Sequence, residues 1–264
     1  MSKTTYPKEY ASLCHHFNEK YGYNLMADPY QLEYVLSMNA PTTEVQAVFV
    51  DAPAGTGKTS LAVKMALYQL NAQRIDEIFY YRAPLSMHEQ GFLSGDLTEK
   101  ERPYMTPCVD TINSVQKGLA DNLVKAGKLH LKTTTFERGA DRPGKKFVIV
   151  DEAQNYSLNE LRAVLTRFSD DAKIVIIGST LQNDAPHKTN FGRFRIQPFS
   201  AFIQHFVYEQ ESIPVRECPL VNNYRGRFSQ WADEIDRTIK KMETAQEKRK
   251  LETTKGIDNV AVTG

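Results

Sequence analysis

Short, unbroken apolar runs alternate along this chain with longer stretches in which apolar residues return every three or four positions. The runs are Ala47-Val48-Phe49-Val50, the Ile/Phe/Tyr-rich segment 77–82, Phe147-Val148-Ile149-Val150 and residues 173–177. Runs without alternation belong to strands buried on both faces, as in parallel sheets. Helical spacing predicts helices over 10–20, 30–38, 60–70 (on Leu61, Met65 and Leu67), 109–125 and 158–168. A short strand is expected at 129–131 and a last one between Val207 and Val221, followed by a helix through Trp231 and Ile235. Residues 83–107, with Gly91, Gly95, Pro103 and Pro107, read as loop. Strands alternating with helices predict an α/β fold, a mostly parallel sheet with helices on both faces. The expected organisation is an N-terminal extension over 1–29, a core domain over 30–238 and a charged tail over 239–264. The tail reads as a solvated helix or frayed end, with a partner-binding element as the alternative.

Composition narrows the class. Of 264 residues, 41% are apolar and 25% charged, which is ordinary for a folded soluble chain. The net charge of +1 means that any nucleic-acid surface has to be a local patch. Cys14, Cys108 and Cys218 form no C-x-x-C pair and are odd in number, so reduced thiols and a cytoplasmic location are expected. The first ten residues lack the apolar stretch of a signal peptide, and no apolar run is long enough to span a membrane.

The chemistry begins after the first strand run. Ala52-Pro53-Ala54-Gly55-Thr56-Gly57-Lys58-Thr59 stands between a strand and a helix, the context in which a phosphate-binding loop works. Gly55 and Gly57 let backbone N–H groups turn toward phosphates, and the positive end of the next helix faces them. Lys58 supplies a point charge for the β and γ phosphates, and the Thr59 hydroxyl is placed for Mg2+. The usual pattern opens on glycine; here Ala52 stands first, which is tolerable if its φ is negative. The run 147–150 ends in Asp151-Glu152: Asp151 is expected to hold magnesium through water, and Glu152 to take a proton from the attacking water. The strand 173–177 ends in Gly178-Ser179-Thr180-Leu181-Gln182, with Ser179 and Gln182 as candidates to sense the γ-phosphate and position water.

The pattern resembles the PhoH-like ATPases, whose phosphate loop is typically G-P-A-G-T-G-K-T. The resemblance continues through Arg82-Ala83-Pro84, the segment Gly91-Phe92-Leu93-Ser94-Gly95-Asp96-Leu97-Thr98-Glu99-Lys100, and Pro103-Tyr104. It extends to Phe136-Glu137-Arg138-Gly139, Asp151-Glu152-Ala153-Gln154-Asn155 and Leu165-Thr166-Arg167, covering about 31–235 in order. It implies one RecA-like core related to superfamily 1 helicases, ATP hydrolysis with Mg2+, and a role in RNA handling. It further implies that Gln31 reads adenine and that Arg225 reaches the γ-phosphate. Two departures stand out: Ser179 replaces the family's acid in G-D-x-x-Q, and Ala140 to Gly144 replace R-T-L.

A superfamily 1 motor uses two such cores, and this chain has one phosphate loop, so a ring is expected, with a hexamer as its closure. Arg82, Arg138 and Arg167 are candidates for a charge-neutralising arginine or for polynucleotide phosphates, and Tyr80, Tyr81 and Phe92 for bases. The expected function is an ATP-driven motor on RNA or single-stranded nucleic acid. The alternatives are an ATP-controlled assembly switch and an ATPase-associated ribonuclease.

Overall fold

The computed structural model describes residues 8–83, 97–133, 143–182, 196–209, 213–235, 237–239 and 241–246. The chain divides into two compact units, Met1–Asn222 and Asn223–Gly264. The first holds a six-stranded sheet made of β1 (Ala47–Asp51), β2 (Glu77–Arg82), β3 (Leu129–Thr133), β4 (Lys146–Asp151), β5 (Lys173–Gly178) and β6 (Val215–Glu217). Their order is β3-β2-β4-β5-β1-β6, and every pairing is parallel. Asp51 pairs with Gly178 and Arg82 with Asp151, so the polar ends of the central strands arrive together at one edge. That edge, at the carboxyl ends of the strands, is where α/β sheets bind ligands.

Side chains alternate between two apolar layers. Val48, Ile78, Tyr80, Ile149, Val175 and Ile177 face one layer, closed by α1 (Lys8–Tyr21), α2 (Pro29–Asn39), α3 (Lys58–Asn71), α4 (Leu97–Val115) and α5 (Leu119–Lys125). Phe49, Phe79, Tyr81, Val148, Ile174 and Ile176 face the other, which includes α6 (Leu158–Leu165) and α7 (Pro198–Ile203). Both faces are therefore covered, as the unbroken apolar runs require. None of the helices among the described residues is long and apolar enough to cross a membrane.

The strands lie within a residue or two of where the apolar runs place them, and β2 has the expected bounds. The stretch 97–107, expected as loop, is instead the first half of α4, which runs through both Pro103 and Pro107. Tertiary burial overrides the prolines: Met105, Cys108 and Ile112 recur at helical spacing and are buried in the first layer. The Thr111 hydroxyl donates to Pro107 O at 2.7 Å. The helix expected over 109–125 is broken at Gly118, whose φ of +75° starts α5. The second unit begins with a turn in which Arg225 N–H donates to Asn223 Oδ1 at 2.8 Å, followed by α8 (Arg227–Asp233).

Candidate functional site

The phosphate loop joins β1 to α3. Gly55 and Gly57 take φ of +82° and +86°, the left-handed conformations the loop requires. Ala52 is not among the residues with positive φ and is buried, so the alanine at the first motif position sits without backbone strain. A Cβ on Gly57 would lie 3.1 Å from Gln31 Nε2, a second reason for glycine there. Lys58 Nζ reaches back over the loop to donate to Ala52 O at 3.0 Å and Pro53 O at 3.1 Å.

Helix α2 braces this loop from behind. Asp28 caps the helix by accepting from the N–H groups of Tyr30 and Gln31, and Pro29 opens it. Gln31, only 4% exposed, donates its amide to Thr56 O at 3.0 Å. Tyr34 donates its hydroxyl to Lys58 O at 3.2 Å. In this arrangement Gln31 holds the backbone of the phosphate loop, whatever else it reads.

Across the sheet edge, Asp151 ends β4. Thr59 Oγ1 donates to Asp151 Oδ1 at 3.0 Å, bringing together two residues 92 positions apart. A hydroxyl and a carboxylate side by side are the hard oxygen donors that suit Mg2+ beside phosphates, so these residues fit the ion. Asp151 is 2% exposed and Glu152 29%, which separates a buried carboxylate from one that solvent reaches. Glu152 takes φ +53°, turning it away from the strand direction. Arg82 Nη2 donates to its Oε1 at 3.3 Å, and Gln154 Nε2 donates to its Oε2 at 2.7 Å.

Arg82, at the end of β2, serves both acids, with Nη1 3.8 Å from Asp151 Oδ2. Burial lowers its pKa, but Tyr80, Asp151 and Glu152 outweigh that and raise it. Gln154 continues the chain of contacts, its Oε1 accepting the N–H of Ser179 at 2.9 Å. Gly178, just before, has no room for a side chain: a Cβ would lie 2.6 Å from Phe199 Cε1 and 3.0 Å from Gln154 Oε1. Asp51 clamps the same turn by accepting Thr180 N–H at 2.9 Å and Thr180 Oγ1 at 2.7 Å. The buried Ser179 hydroxyl has no hydrogen-bond partner among the described residues, and Gln182 N–H closes the turn on Ser179 O at 3.1 Å.

Lys58, Thr59, Asp151, Glu152 and Ser179 thus belong to one linked edge of the sheet, with Gln31 beneath it. One expectation changes. Tyr80 and Tyr81 are fully buried on opposite faces of the sheet and do not present rings to a polynucleotide. Arg82, a candidate for a charge-neutralising arginine or for polynucleotide phosphates, is half-buried and engaged with the two acids. Arg138 and Phe92 lie outside the described residues, while Arg225 belongs to the second unit. The contacts the sequence did not reveal are those of Tyr80, Gln154 and Asp51; only the polar type of Asp51 at the tip of an apolar run marked it.

Comparison with known proteins agrees with the motifs. A PhoH-like protein of Mycobacterium leprae is 29% identical over 206 residues, 77% of this chain and 58% of its own length. One of Bacillus subtilis is 35% identical over 164 residues, 61% of this chain and 50% of its own. The protein PhoH of Escherichia coli is 29% identical over 163 residues, 59% and 44% respectively. The chain spans about half the length of these curated relatives. Among solved structures, the HK97 bacteriophage large terminase superposes on 73% of this chain and 39% of its own, at TM-score 0.45 and 16% identity. The sequence model described as PhoH-like protein matches residues 26–205, which takes in the phosphate loop, Asp151, Glu152 and the β5 turn, and the chain therefore belongs to the PhoH-like family.

Proposed function

We propose that this chain is an ATP hydrolase that uses Mg2+ and couples turnover to RNA or single-stranded nucleic acid, working as a ring. The observation that carries the hydrolase reading is the contact of Thr59 with Asp151 beside Lys58, because it brings a metal-holding pair to the mouth of a phosphate loop. Magnesium would supply charge neutralisation for the phosphates there. Lys58 exchanges its two loop carbonyls for phosphate oxygens. Glu152, held on both oxygens and open to solvent, takes the proton of the attacking water. Ser179 and Gln182 stand on the turn that Gln154 ties to Glu152, where a change in phosphate state would be felt. Gln31 and Arg225 remain proposals for adenine and γ-phosphate contact.

The ring and the nucleic-acid partner rest on the single phosphate loop and on the family's implied chemistry. Release of inorganic phosphate, measured with and without single-stranded RNA, tests the coupling. Stimulation by RNA supports the motor, and indifference in an active preparation rejects it. Glu152→Gln is expected to lower turnover by about 100-fold or more while ATP binding persists. Sedimentation showing a fully active monomer at all concentrations overturns the ring. A second reading, an ATP-controlled assembly switch, is favoured by Ser179, where the family's acid is missing from the turn. In that case ATP changes the sedimentation coefficient and RNA leaves turnover unchanged. A ribonuclease at this site would lose its cleavage in both Lys58→Ala and Glu152→Gln.

A further inference from the structure

Asp151 has two carboxylate oxygens, and the phosphate-loop motif accounts for one of them. Oδ1 accepts the Thr59 hydroxyl at 3.0 Å and the N–H of Glu152 at 3.1 Å. Oδ2 accepts the phenol of Tyr80 at 2.5 Å, with Arg82 Nη1 standing off at 3.8 Å. Tyr80 lies on β2 opposite Ile149 of β4, two residues short of Asp151, so its ring runs along the sheet face and the hydroxyl reaches the end of the neighbouring strand. It is completely buried. An ionised carboxylate has only acceptors, so the phenol is the donor in this contact. A contact of this length from hydroxyl to carboxylate is of the charge-assisted kind.

A ring that only filled the core would need no hydroxyl, and this one meets the Asp151 carboxylate. We infer that Tyr80 is a positioning residue of the metal site: its phenol pins Oδ2 of Asp151 and fixes the carboxylate's rotation. Oδ1, beside Thr59, is then the oxygen offered to magnesium or to its water. This rests on reading Asp151 and Thr59 as the metal-holding pair. Hydrogen bonds that orient a ligand in this way commonly change metal affinity 10–100-fold, roughly, when removed.

Tyr80→Phe removes the hydroxyl and leaves the ring, and Tyr81→Phe, equally buried on the other face, controls for loss of a buried phenol. ADP affinity is measured calorimetrically for each with and without magnesium, and circular dichroism checks the fold. In Tyr80→Phe, metal-free ADP affinity is expected to match wild type, and the gain on adding magnesium to shrink about tenfold. Tyr81→Phe is expected to keep the full gain. Half-saturation of hydrolysis by magnesium should rise by a similar factor, with turnover at saturating metal less affected. A Tyr80→Phe chain with the wild-type magnesium gain overturns the inference, and a lower melting temperature alone would then mark the phenol as structural. A wild-type chain whose ADP affinity ignores magnesium overturns the metal-site reading, and the inference with it. Should Tyr80→Phe not fold, the tyrosine difference spectrum of the wild-type ADP complex on adding magnesium decides: a perturbed buried tyrosine supports the inference, and an unchanged spectrum rejects it.

Discussion

Lys58 and Lys173 both hold backbone carbonyls, at opposite edges of one sheet. Lys58, at the carboxyl edge, bonds to Ala52 O and Pro53 O, six and five residues back in its own loop. Lys173, the first residue of β5 at the amino edge, bonds to Ser37 O, Ala40 O and Val45 O, all more than 120 residues away, and is 2% exposed. Ser37 and Ala40 lie at the end of α2, where unpaired carbonyls and the helix dipole favour a cation. The chemistry of the contacts is the same and the consequence opposite. Lys173 fastens the end of α2 and the turn after it to the sheet, so it belongs to the fold. The carbonyls that Lys58 holds at 3.0 and 3.1 Å belong to its own loop, and in the proposed reaction it trades them for phosphate oxygens.

Substitution can break the comparison, and the largest effect belongs to the carboxyl edge. Lys58→Ala is expected to lower phosphate release by about 100-fold or more, with the thermal midpoint nearly unchanged; a collapsed midpoint would make Lys58 a structural residue like Lys173. Lys173→Met should do the reverse, costing about 2–4 kcal/mol in urea unfolding because buried carbonyls lose their donor, while turnover per folded molecule survives.

The pH dependence sharpens the point. Burial pulls the Lys173 pKa down to about 7, against the charge of Glu44 and with that of Arg216 adding. An unfolded lysine titrates near pH ~10.4, so between the two values the unfolded chain binds more protons and stability rises with pH from about 7 upward. Urea midpoints at pH 7 and pH 9 should show this rise in wild type and less of it in Lys173→Met.

The smallest effect also lies at the amino edge. Glu77 takes Lys146 Nζ at 3.4 Å and His130 Nε2 at 2.7 Å, partly exposed to water. Burial alone would raise its pKa, but Lys146 and His130 outweigh it and hold the carboxyl below its usual 4.5. Its contribution is present above that value and lost as pH falls below it. Glu77→Gln should therefore cost under about 1 kcal/mol at pH 7, and less in acid. An equal cost at both pH values would show that charge plays no part.

What could be read from the sequence follows the same division. Runs such as 47–50 and 147–150 declare themselves because strands buried on both faces have no polar register, and the acids after them mark the edge where chemistry occurs. Gly55, Gly57 and Lys58 could be read because their conformations and contacts involve neighbours a few residues away. Helix α4 could not, since two prolines argue against it locally and only the burial of Met105, Cys108 and Ile112 argues for it. The place of Tyr80 is hidden for a related reason. A tyrosine in a strand suggests a surface ring, and nothing in the sequence says that its hydroxyl meets Asp151, 71 positions on. Lys173 likewise looks like the polar start of a strand until α2 is folded over it.

The left-handed backbone of Glu152 sets two demands on one position. A residue with a Cβ gives up about 1–2 kcal/mol to stand there, which glycine does not and asparagine does less. Selection for folding alone would drift position 152 toward those two residues, and selection for turnover would return it to glutamate. A library varied at that codon, sorted once for soluble expression and once for phosphate release, should therefore yield two different winners, and the gap between them measures how far the protein departs from its most stable sequence in order to work.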